Sequence, residues 1–435
     1  MKTNTAPTFT AKTHEGAPAA HLSPYQQLRR SVMACMLWED TFYEDGVSIA
    51  QRIHKLAEEV PTQKLAELAV EARTKGNLRH APLWLLVALI KKGSGSSIVS
   101  DTIAQTIQRA DEMGELVSLY WKDGKRPLAK QLQKGLAKAF VKFSAYDLGK
   151  YNRDAAVKLR DVLFLSHAKP QSPEQEAMWK RLIDKELETP DTWEVALSGG
   201  ADKGETFTRL LKEGKLGYLA LLRNLRNMAE SKVDPELVKA AIVARKGAHR
   251  VLPFRYTAAA RAAPQFEPAL DQALLEAIFE MPVLEGRTVV LVDVSGSMES
   301  KISAKSDLTR LDAAATLAAI IPGDVRVFSF SQTLVEVPAR RGMAGVDAII
   351  RSQSHGGTDL GGALRTLYRI AEFDRLIVLT DEQSSTALPP IVGKRNYMIN
   401  VAAYQHGVGY GPWVRIDGFS ESVLTYIGEH ERAGV

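Results

Sequence analysis

Two short apolar runs that each end in aspartate set the strongest limit on the fold of the C-terminal part of this chain. Residues 287–293 read RTVVLVD, and residues 374–381 read DRLIVLTD. Continuous apolar runs of this length are typical of parallel strands that are buried on both faces. Both aspartates should then lie at the carboxyl edge of one sheet, where sheets of this kind bind ligands.

Further strand and helix patterns alternate around these two runs. The additional predicted strands are 325–330 and 397–402, and the predicted helices between the strands are 308–321, 346–351 and 360–371. Alternating strands and helices predict a doubly wound α/β fold. We therefore expect an α/β domain over residues 286–435.

The segment 21–285 shows helix after helix and almost no strand pattern. Predicted helices cover 25–38, 62–74, 81–90, 96–113, 126–143, 154–166, 172–187, 217–228, 234–246 and 266–279. Short connections with Gly, Pro or Asp predict stacked antiparallel helix pairs, an α-solenoid, with a compact helical bundle as the alternative. Residues 1–20, which are rich in Thr, Ala and Pro, are expected to form a flexible arm.

The cysteine content and the N-terminus indicate the compartment. Cys35 is the single cysteine and cannot form an internal disulfide, which favours a reducing compartment. The N-terminus lacks the layout of a signal peptide, and the apolar run 81–90 is too short to span a bilayer. We therefore expect a cytoplasmic protein that does not contact membranes.

Asp293 is the first residue of a possible metal-binding sequence. Asp293, Ser295 and Ser297 form an Asp-x-Ser-x-Ser sequence, Thr358 lies on a glycine-rich loop, and Asp381 ends the second apolar run. Carboxylates and hydroxyls, without imidazole or thiolate, favour Mg²⁺, with Mn²⁺ as the alternative, and argue against zinc. The competing interpretation is that these side chains only cap helices.

This set of residues resembles the metal-ion-dependent adhesion site of von Willebrand factor A domains. The resemblance implies a cation with one coordination position left open for an acidic group of a partner, and thus recognition instead of catalysis. His355, on the loop before Thr358, is given no role. Because no positioned general base or nucleophile is apparent in the sequence, we predict that the protein is not an enzyme.

Positive charge is concentrated in the helical segment. The net charge of the chain is +5, yet residues 122–160 alone contain eleven basic and three acidic side chains. The candidate RNA-binding residues at every fourth position are Arg126, Lys130, Lys134, Lys138 and Lys142, and the series continues with Lys150, Arg153, Lys158 and Arg160. On one helix, the first five would form a ridge that attracts the phosphate backbone of nucleic acids. A solvated helix face is the alternative.

Residues 159–170, LRDVLFLSHAKP, resemble the Ser-His-x-Lys-Pro segment in the TROVE module of Ro autoantigen family proteins of bacterial type. Similar stretches occur at 29–46, 192–198 and 221–225, so that the resemblance covers about residues 20–285 and the A domain follows. It implies RNA-binding roles for His167, Lys150 and Arg153. Lys158, Arg160 and Lys169 are added because of their charge. His167 could instead cap a helix C-terminus.

The family resemblance also implies the architecture and the partners. It implies a ring of HEAT-like repeats closed by the A domain, which binds small noncoding Y RNA outside and single-stranded 3′ ends of misfolded RNA inside, in RNA quality control. An exoribonuclease or another protein could bind the A domain, and we expect a monomer. Since aromatic residues make up only 7% of the chain, backbone capture is expected over base stacking. The alternative function is a metal-dependent protein-interaction module on a helical scaffold.

Overall fold

The computed structural model confirms a helical region followed by an α/β domain. It describes residues 11–19, 22–34, 44–152, 154–251, 253–281, 283–303, 306–402, 404, 406–409, 411–418 and 422–432. Two compact units are present: the first unit combines the N-terminal segment up to Ile49 with Lys203–Val435, and the second unit is Ala50–Asp202. These units do not follow the predicted domain boundary at 285, which stays a prediction.

The helical region consists of helices joined by short turns. They are α1 (Pro24–Ala34), α2 (Gly46–Glu59), α3 (Thr62–Thr74), α4 (His80–Lys92), α5 (Ser97–Thr106), α6 (Ala110–Tyr120), α7 (Lys130–Phe140), α8 (Ala145–Tyr151), α9 (Leu159–Ser166), α10 (Pro173–Ile183), α11 (Trp193–Ser198), α12 (Lys203–Lys212), α13 (Tyr218–Arg223), α14 (Leu225–Glu230), α15 (Pro235–Ala244), α16 (Phe254–Ala262) and α17 (Glu267–Phe279). Within the described residues, no helix combines the length and the apolar character needed to cross a membrane.

The helix predicted over 96–113 is wrong, because the structure has α5 and α6 in its place. The break falls at Gln108 and Arg109, whose backbone N–H groups both donate to the Glu112 carboxylate, at 2.8 and 3.0 Å. Glu112 lies in the first turn of α6 and satisfies N–H groups that would otherwise lack a partner at the start of a helix. The apolar pattern continues across this break and therefore did not reveal it.

The C-terminal region is a doubly wound sheet, as predicted. Its elements are β1 (Thr288–Asp293), α18 (Arg310–Ile320), β2 (Val325–Phe330), β3 (Leu334–Val337), α19 (Gly342–Ile350), α20 (Leu360–Ile370), β4 (Arg375–Thr380), β5 (Arg395–Asn400), β6 (Val414–Asp417) and α21 (Ser422–Arg432). The strand order is β3-β2-β1-β4-β5-β6, and only β3 pairs in the antiparallel sense. The strands β3 and β6 were not predicted, because each has four residues and lies at an edge of the sheet.

Residues 11–19 pack on the loop that follows β4, where the sequence predicted a flexible arm. The Thr13 hydroxyl donates to the backbone oxygen of Ser384 at 2.8 Å, and the His14 backbone N–H donates to the side chain of Gln383 at 2.7 Å. Thr13 and Ala17 are buried. Hydrogen bonds made in a buried setting hold this part of the segment in place. Residues 1–10 and 20 lie outside the described residues.

A buried ionic cluster joins α1 to the same loop. Glu382 is fully buried and has a φ of 63°, and its carboxylate accepts hydrogen bonds from Arg30 of α1 and from Arg415 of β6. Arg415 also donates to Asp417 at 2.6 Å. A buried carboxylate is costly unless it is paired and hydrogen-bonded, and two guanidinium groups meet that need here.

We expect Arg30→Met to lower the free energy of unfolding by about 3 kcal/mol, because Glu382 then loses a charged partner inside the protein. Urea unfolding of the full chain measures this. The matched control is Arg29→Met on the same helix, since Arg29 is partly exposed and lies 3.7 Å from Asp417. An equal decrease in the free energy of unfolding for the two variants would contradict the view that the unpaired Glu382 carboxylate causes the destabilisation.

Candidate metal centre and candidate nucleic-acid interface

Two neighbouring strands bring the predicted metal-ligating carboxylates together. Asp293 is the last residue of β1, and Asp381 directly follows β4. Because β1 and β4 are adjacent and parallel, with Val292 opposite Leu379, both carboxylates lie at the carboxyl edge of the sheet. Both are fully buried.

The serines of the Asp-x-Ser-x-Ser loop lie in the same cluster. Ser297 Oγ donates to Asp381 Oδ2 at 2.5 Å and lies 3.2 Å from Ser295 Oγ. Asp293 accepts from the Ser295 backbone N–H at 2.9 Å and from the Thr380 hydroxyl at 2.6 Å. Ser295 precedes a short 3-10 helix, but its side chain makes no capping hydrogen bond. The geometry therefore favours a shared site over the helix-cap interpretation for this serine.

Thr358 is held next to this cluster by its loop. The Gly296 backbone N–H donates to Gly356 O at 3.0 Å, and the Ser385 backbone N–H donates to Thr358 O at 2.7 Å. A Cβ on Gly296 would meet His355 O at 3.5 Å, so the two loops run close together. Thr358 itself is buried.

The electrostatics of the site suit a divalent cation. Burial and the nearby charge of Asp381 raise the pKa of Asp293 to about 7. Within the described part of the chain, no group of three or more His, Cys, Asp or Glu side chains could hold a metal. The donors present are thus two carboxylates and neighbouring hydroxyls, which fit a hard cation such as Mg²⁺.

His355 has a structural role in this region. Its ring contacts Glu299 at 2.5 Å through Nδ1 and the backbone oxygen of Ile350 at 2.8 Å through Nε2. Burial disfavours the protonated ring, but these two hydrogen bonds outweigh it and raise the pKa of His355 above its usual value. Both ring nitrogens are therefore used within the fold.

The basic ridge predicted along one helix is divided in the structure. The helix α7 is shorter than the predicted 126–143, so that Arg126 and Lys142 lie outside it. Lys138 forms an ion pair with Asp101 of α5 at 2.6 Å. Lys142 donates to the backbone oxygens of Ala104 and Ile107 at the end of α5, and burial lowers its pKa. These two lysines hold α5 and do not form one continuous exposed row with the others.

Lys130 and Lys134 are exposed and, within the described residues, form no ion pair. Between them, Gln133 donates to Leu165 O at 3.3 Å, which places the start of α7 beside the end of α9. The exposed residues His167 and Lys169 follow directly after α9. We call Lys130, Lys134, His167 and Lys169 the α7–α9 surface.

His167 caps α9, which is the alternative that the sequence allowed, and its RNA-binding role stays a prediction. Its backbone has a φ of 54° and caps α9, donating to Phe164 O at 3.3 Å. Its ring is exposed. Next to His167, the apolar side chain of Phe164 is 57% exposed. Helical periodicity could have indicated this, because Val162 and Leu163 take up the buried face.

The remaining predicted RNA-binding residues are used within the protein. Arg126 donates to Tyr120 O at 3.1 Å and lies over the Tyr120 ring. The other three are Lys150, 3.9 Å from Glu194; Lys158, paired with Asp154 at 2.6 Å; and Arg160, 3.9 Å from Asp161. Arg153 lies outside the described residues.

Comparisons with known proteins agree with the two parts of the chain. Residues 180–273 match the family model of the TROVE domain, and residues 236–395 match the model described as VWA domain containing CoxE-like protein. The crystal structure of the Deinococcus radiodurans Ro (RSR) protein aligns with 95% of this chain and 100% of that chain, at a TM-score of 0.59 and 16% identity. The chain has the Ro fold. No curated protein sequence matches it.

These matches confirm the resemblance stated from the sequence. The TROVE match contains the predicted stretches 192–198 and 221–225, and the VWA match contains all the candidate metal ligands from Asp293 to Asp381. At this identity, the Ro structure shows the fold and not the ligands. The roles of the metal and of the α7–α9 surface are therefore proposals.

We expect Mg²⁺ to raise the melting temperature of the metal-free protein and not that of Asp293→Asn. Ligand binding stabilises the folded state by about 2.7 kcal/mol at a concentration one hundred times Kd. In EDTA, Asp293→Asn should be at least as stable as the wild type, because one of two buried like charges is gone.

The matched control for this measurement is Asp324→Asn. Asp324 is exposed and precedes β2, at the amino end of the strands. Thermal unfolding of this variant should respond to Mg²⁺ as the wild type does. An identical response of all three proteins would exclude the buried pair as the site of binding.

Proposed function

We propose that this protein binds RNA without changing it chemically, and that the α7–α9 surface contacts the phosphate backbone. The observation that carries the proposal is the exposure of Lys130, Lys134 and Lys169 beside His167, without neutralising carboxylates among the described residues. Cations of this kind release the counterions of a polyphosphate, which gives affinity with little sequence preference. The match to the TROVE domain supports the same function.

The proposed ligands follow from the Ro fold. They are small noncoding RNA of the Y type and the single-stranded 3′ ends of misfolded RNA, bound in the course of RNA quality control. A blunt-ended duplex has no unpaired strand end, so shape can separate structured RNA from single-stranded RNA where charge cannot. We further propose that the protein is a cytoplasmic monomer and that a nuclease processes the bound RNA. The closed ring stays part of this proposal.

A second proposal concerns the α/β domain. The buried pair Asp293 and Asp381, with Ser295, Ser297 and Thr358 beside it, would hold Mg²⁺ or Mn²⁺. When bound, such a cation supplies a coordination position for an acidic group of a partner. The observation that favours this role is geometric: strand pairing holds two fully buried carboxylates side by side, with hydroxyl groups next to them. Burial and the charge of Asp381 raise the pKa of Asp293, as expected for two carboxylates that share one buried site. The partner could be a protein such as an exoribonuclease.

The RNA proposal predicts that the double variant Lys130→Gln/Lys134→Gln binds RNA more weakly than the wild type and that its affinity depends less on salt. The RNA is a hairpin with a single-stranded 3′ tail, titrated by fluorescence anisotropy across a salt series. Loss of two phosphate contacts should lower the slope of log K against log salt by about 1 per lysine, for tails of any sequence.

The matched control is Lys138→Gln with Lys158→Gln. It removes the same charge, but both of these lysines already pair with aspartates. Its effect on the slope should be clearly smaller. Binding by the wild-type protein that is absent, or that does not respond to salt, would refute the proposed function, and equal effects of the two double variants would refute the α7–α9 surface.

A further inference from the structure

Two exposed rings lie close together in the chain at the end of α9. Phe164 belongs to the last turn of α9 and is more than half exposed, and the His167 ring is exposed directly after the helix. The His167 backbone N–H donates to Phe164 O at 3.3 Å, which fixes the spacing of the two residues. In the part of the chain that the structure describes, neither ring contacts another ring or a cation. Both rings are therefore accessible to a ligand.

The exposure of Phe164 follows from the amphipathic pattern of α9. The buried residues of this helix are Leu159, Val162, Leu163 and Ser166. Their spacing of three and four residues places them on one side of the helix, and position 164 lies on the other side. A large apolar side chain gains free energy when it leaves water. Phe164 does not use this gain within the described fold, so a ligand that covers its ring can use it.

The surroundings of the two rings carry positive charge. The exposed Lys169 comes two residues after the second ring. On the neighbouring helix α7, Gln133 donates to the backbone oxygen of Leu165 at 3.3 Å, and Lys130 and Lys134 lie on either side of Gln133 in the sequence. These three lysines are exposed and form no ion pair among the described residues. The rings thus belong to a surface that attracts anions.

Asp161 is the acidic residue of α9, and it is already engaged. Its carboxylate accepts from the Lys158 backbone N–H at 3.0 Å, at the start of the helix, and lies 3.9 Å from the Arg160 guanidinium. Arg160 lies four residues before Phe164, on the same side of α9. The charge of Asp161 is therefore partly offset, and the net charge beside the rings stays positive.

Accessible rings among cations suit a polyanion that itself carries flat rings. Unpaired RNA bases stack on Phe and His side chains, while the phosphates on either side meet lysines. A duplex keeps its bases stacked on one another, so it can use the cations but not the rings. An apolar peptide segment could cover the rings, but it would leave the cations without a counter-charge. The combination favours single-stranded RNA.

We propose that the exposed rings of Phe164 and His167 bind one unpaired base of the RNA, while Lys169 and Lys130 contact the adjoining phosphates. The inference rests on the proposed RNA-binding function and deepens it. It adds a base contact to the backbone capture expected from the low aromatic content of the chain. Discrimination of unpaired from duplex RNA then has a second source besides shape.

The test compares Phe164→Ala with Phe279→Ala. Phe279 is the last residue of α17, is also exposed and lies outside the α7–α9 surface, so both substitutions remove an exposed ring. Binding of the hairpin with a 3′ tail is titrated by fluorescence anisotropy. Phe164→Ala should lower the affinity about tenfold, the usual order for loss of one stacked base, with an unchanged salt slope. Phe279→Ala should bind as the wild type does.

Two further variants separate stacking from simple apolar contact. Phe164→Trp keeps an aromatic face and should retain most of the affinity, whereas Phe164→Leu keeps an apolar side chain and should lose nearly as much as Phe164→Ala. An RNA series with single abasic tail positions identifies the nucleotide. At one position, removal of the base should weaken wild-type binding and abolish the difference between the wild type and Phe164→Ala. This measurement on the wild type does not depend on the folding of any variant.

The outcomes distinguish this inference from the proposed function. If the wild type binds the tailed RNA and Phe164→Ala binds it equally well, the stacking proposal is overturned and RNA binding stands. If Phe164→Ala weakens a blunt-ended duplex or every abasic RNA as much as the normal tail, the contact is not with an unpaired base, which also overturns the proposal. If the wild type binds none of these RNAs, the proposed function itself fails.

Discussion

The structure of the α/β domain depends on two carboxylates that parallel strand pairing forces together inside the protein. Asp293 ends β1 and Asp381 follows β4, so neither can move away without loss of sheet hydrogen bonds. Hydroxyls of Ser297 and Thr380 satisfy some of their oxygens, yet the pKa of Asp293 still rises to about 7 through burial and the charge of Asp381. This electrostatic cost is the physical reason to expect a cation here. The next carboxylate in the chain, Glu382, is also buried, but ion pairs with Arg30 and Arg415 offset the cost of its burial.

The loop that carries these carboxylates is also held by the N-terminal segment. Three consecutive residues after Asp381 contact it: Glu382 binds Arg30, Gln383 accepts from the His14 backbone, and Ser384 accepts from Thr13. The partners are 352 to 371 residues apart in the chain. No local pattern predicts such pairs, because Thr, His and Arg in an N-terminal segment are ordinary surface residues by type. The position of Asp381 thus depends in part on Thr13 and His14, which lie in the segment that the sequence predicted to be a flexible arm.

Local patterns predicted those elements whose own residues determine them. Strands β1 and β4 were found because every position in each is buried, and α3 was found to the residue. The predictions from local patterns failed where a single side chain or a neighbouring strand determines the secondary structure. Glu112 ends one helix and starts the next within a continuous apolar pattern, and the edge strands β3 and β6 are too short to show a period. The two candidate metal-binding aspartates could be placed together from the sequence because they lie at the ends of predicted strands.

The basic segment shows why a surplus of charge differs from charge that a ligand can use. A lysine contributes to polyanion binding only when the phosphate replaces water and counterions around it. Lys138 remains half exposed, but its ion pair with Asp101 neutralises much of its positive charge. Lys142 donates its hydrogen bonds to backbone oxygens at the end of α5. The usable cations are therefore fewer than the sequence count suggests, and phosphate contacts alone supply less affinity.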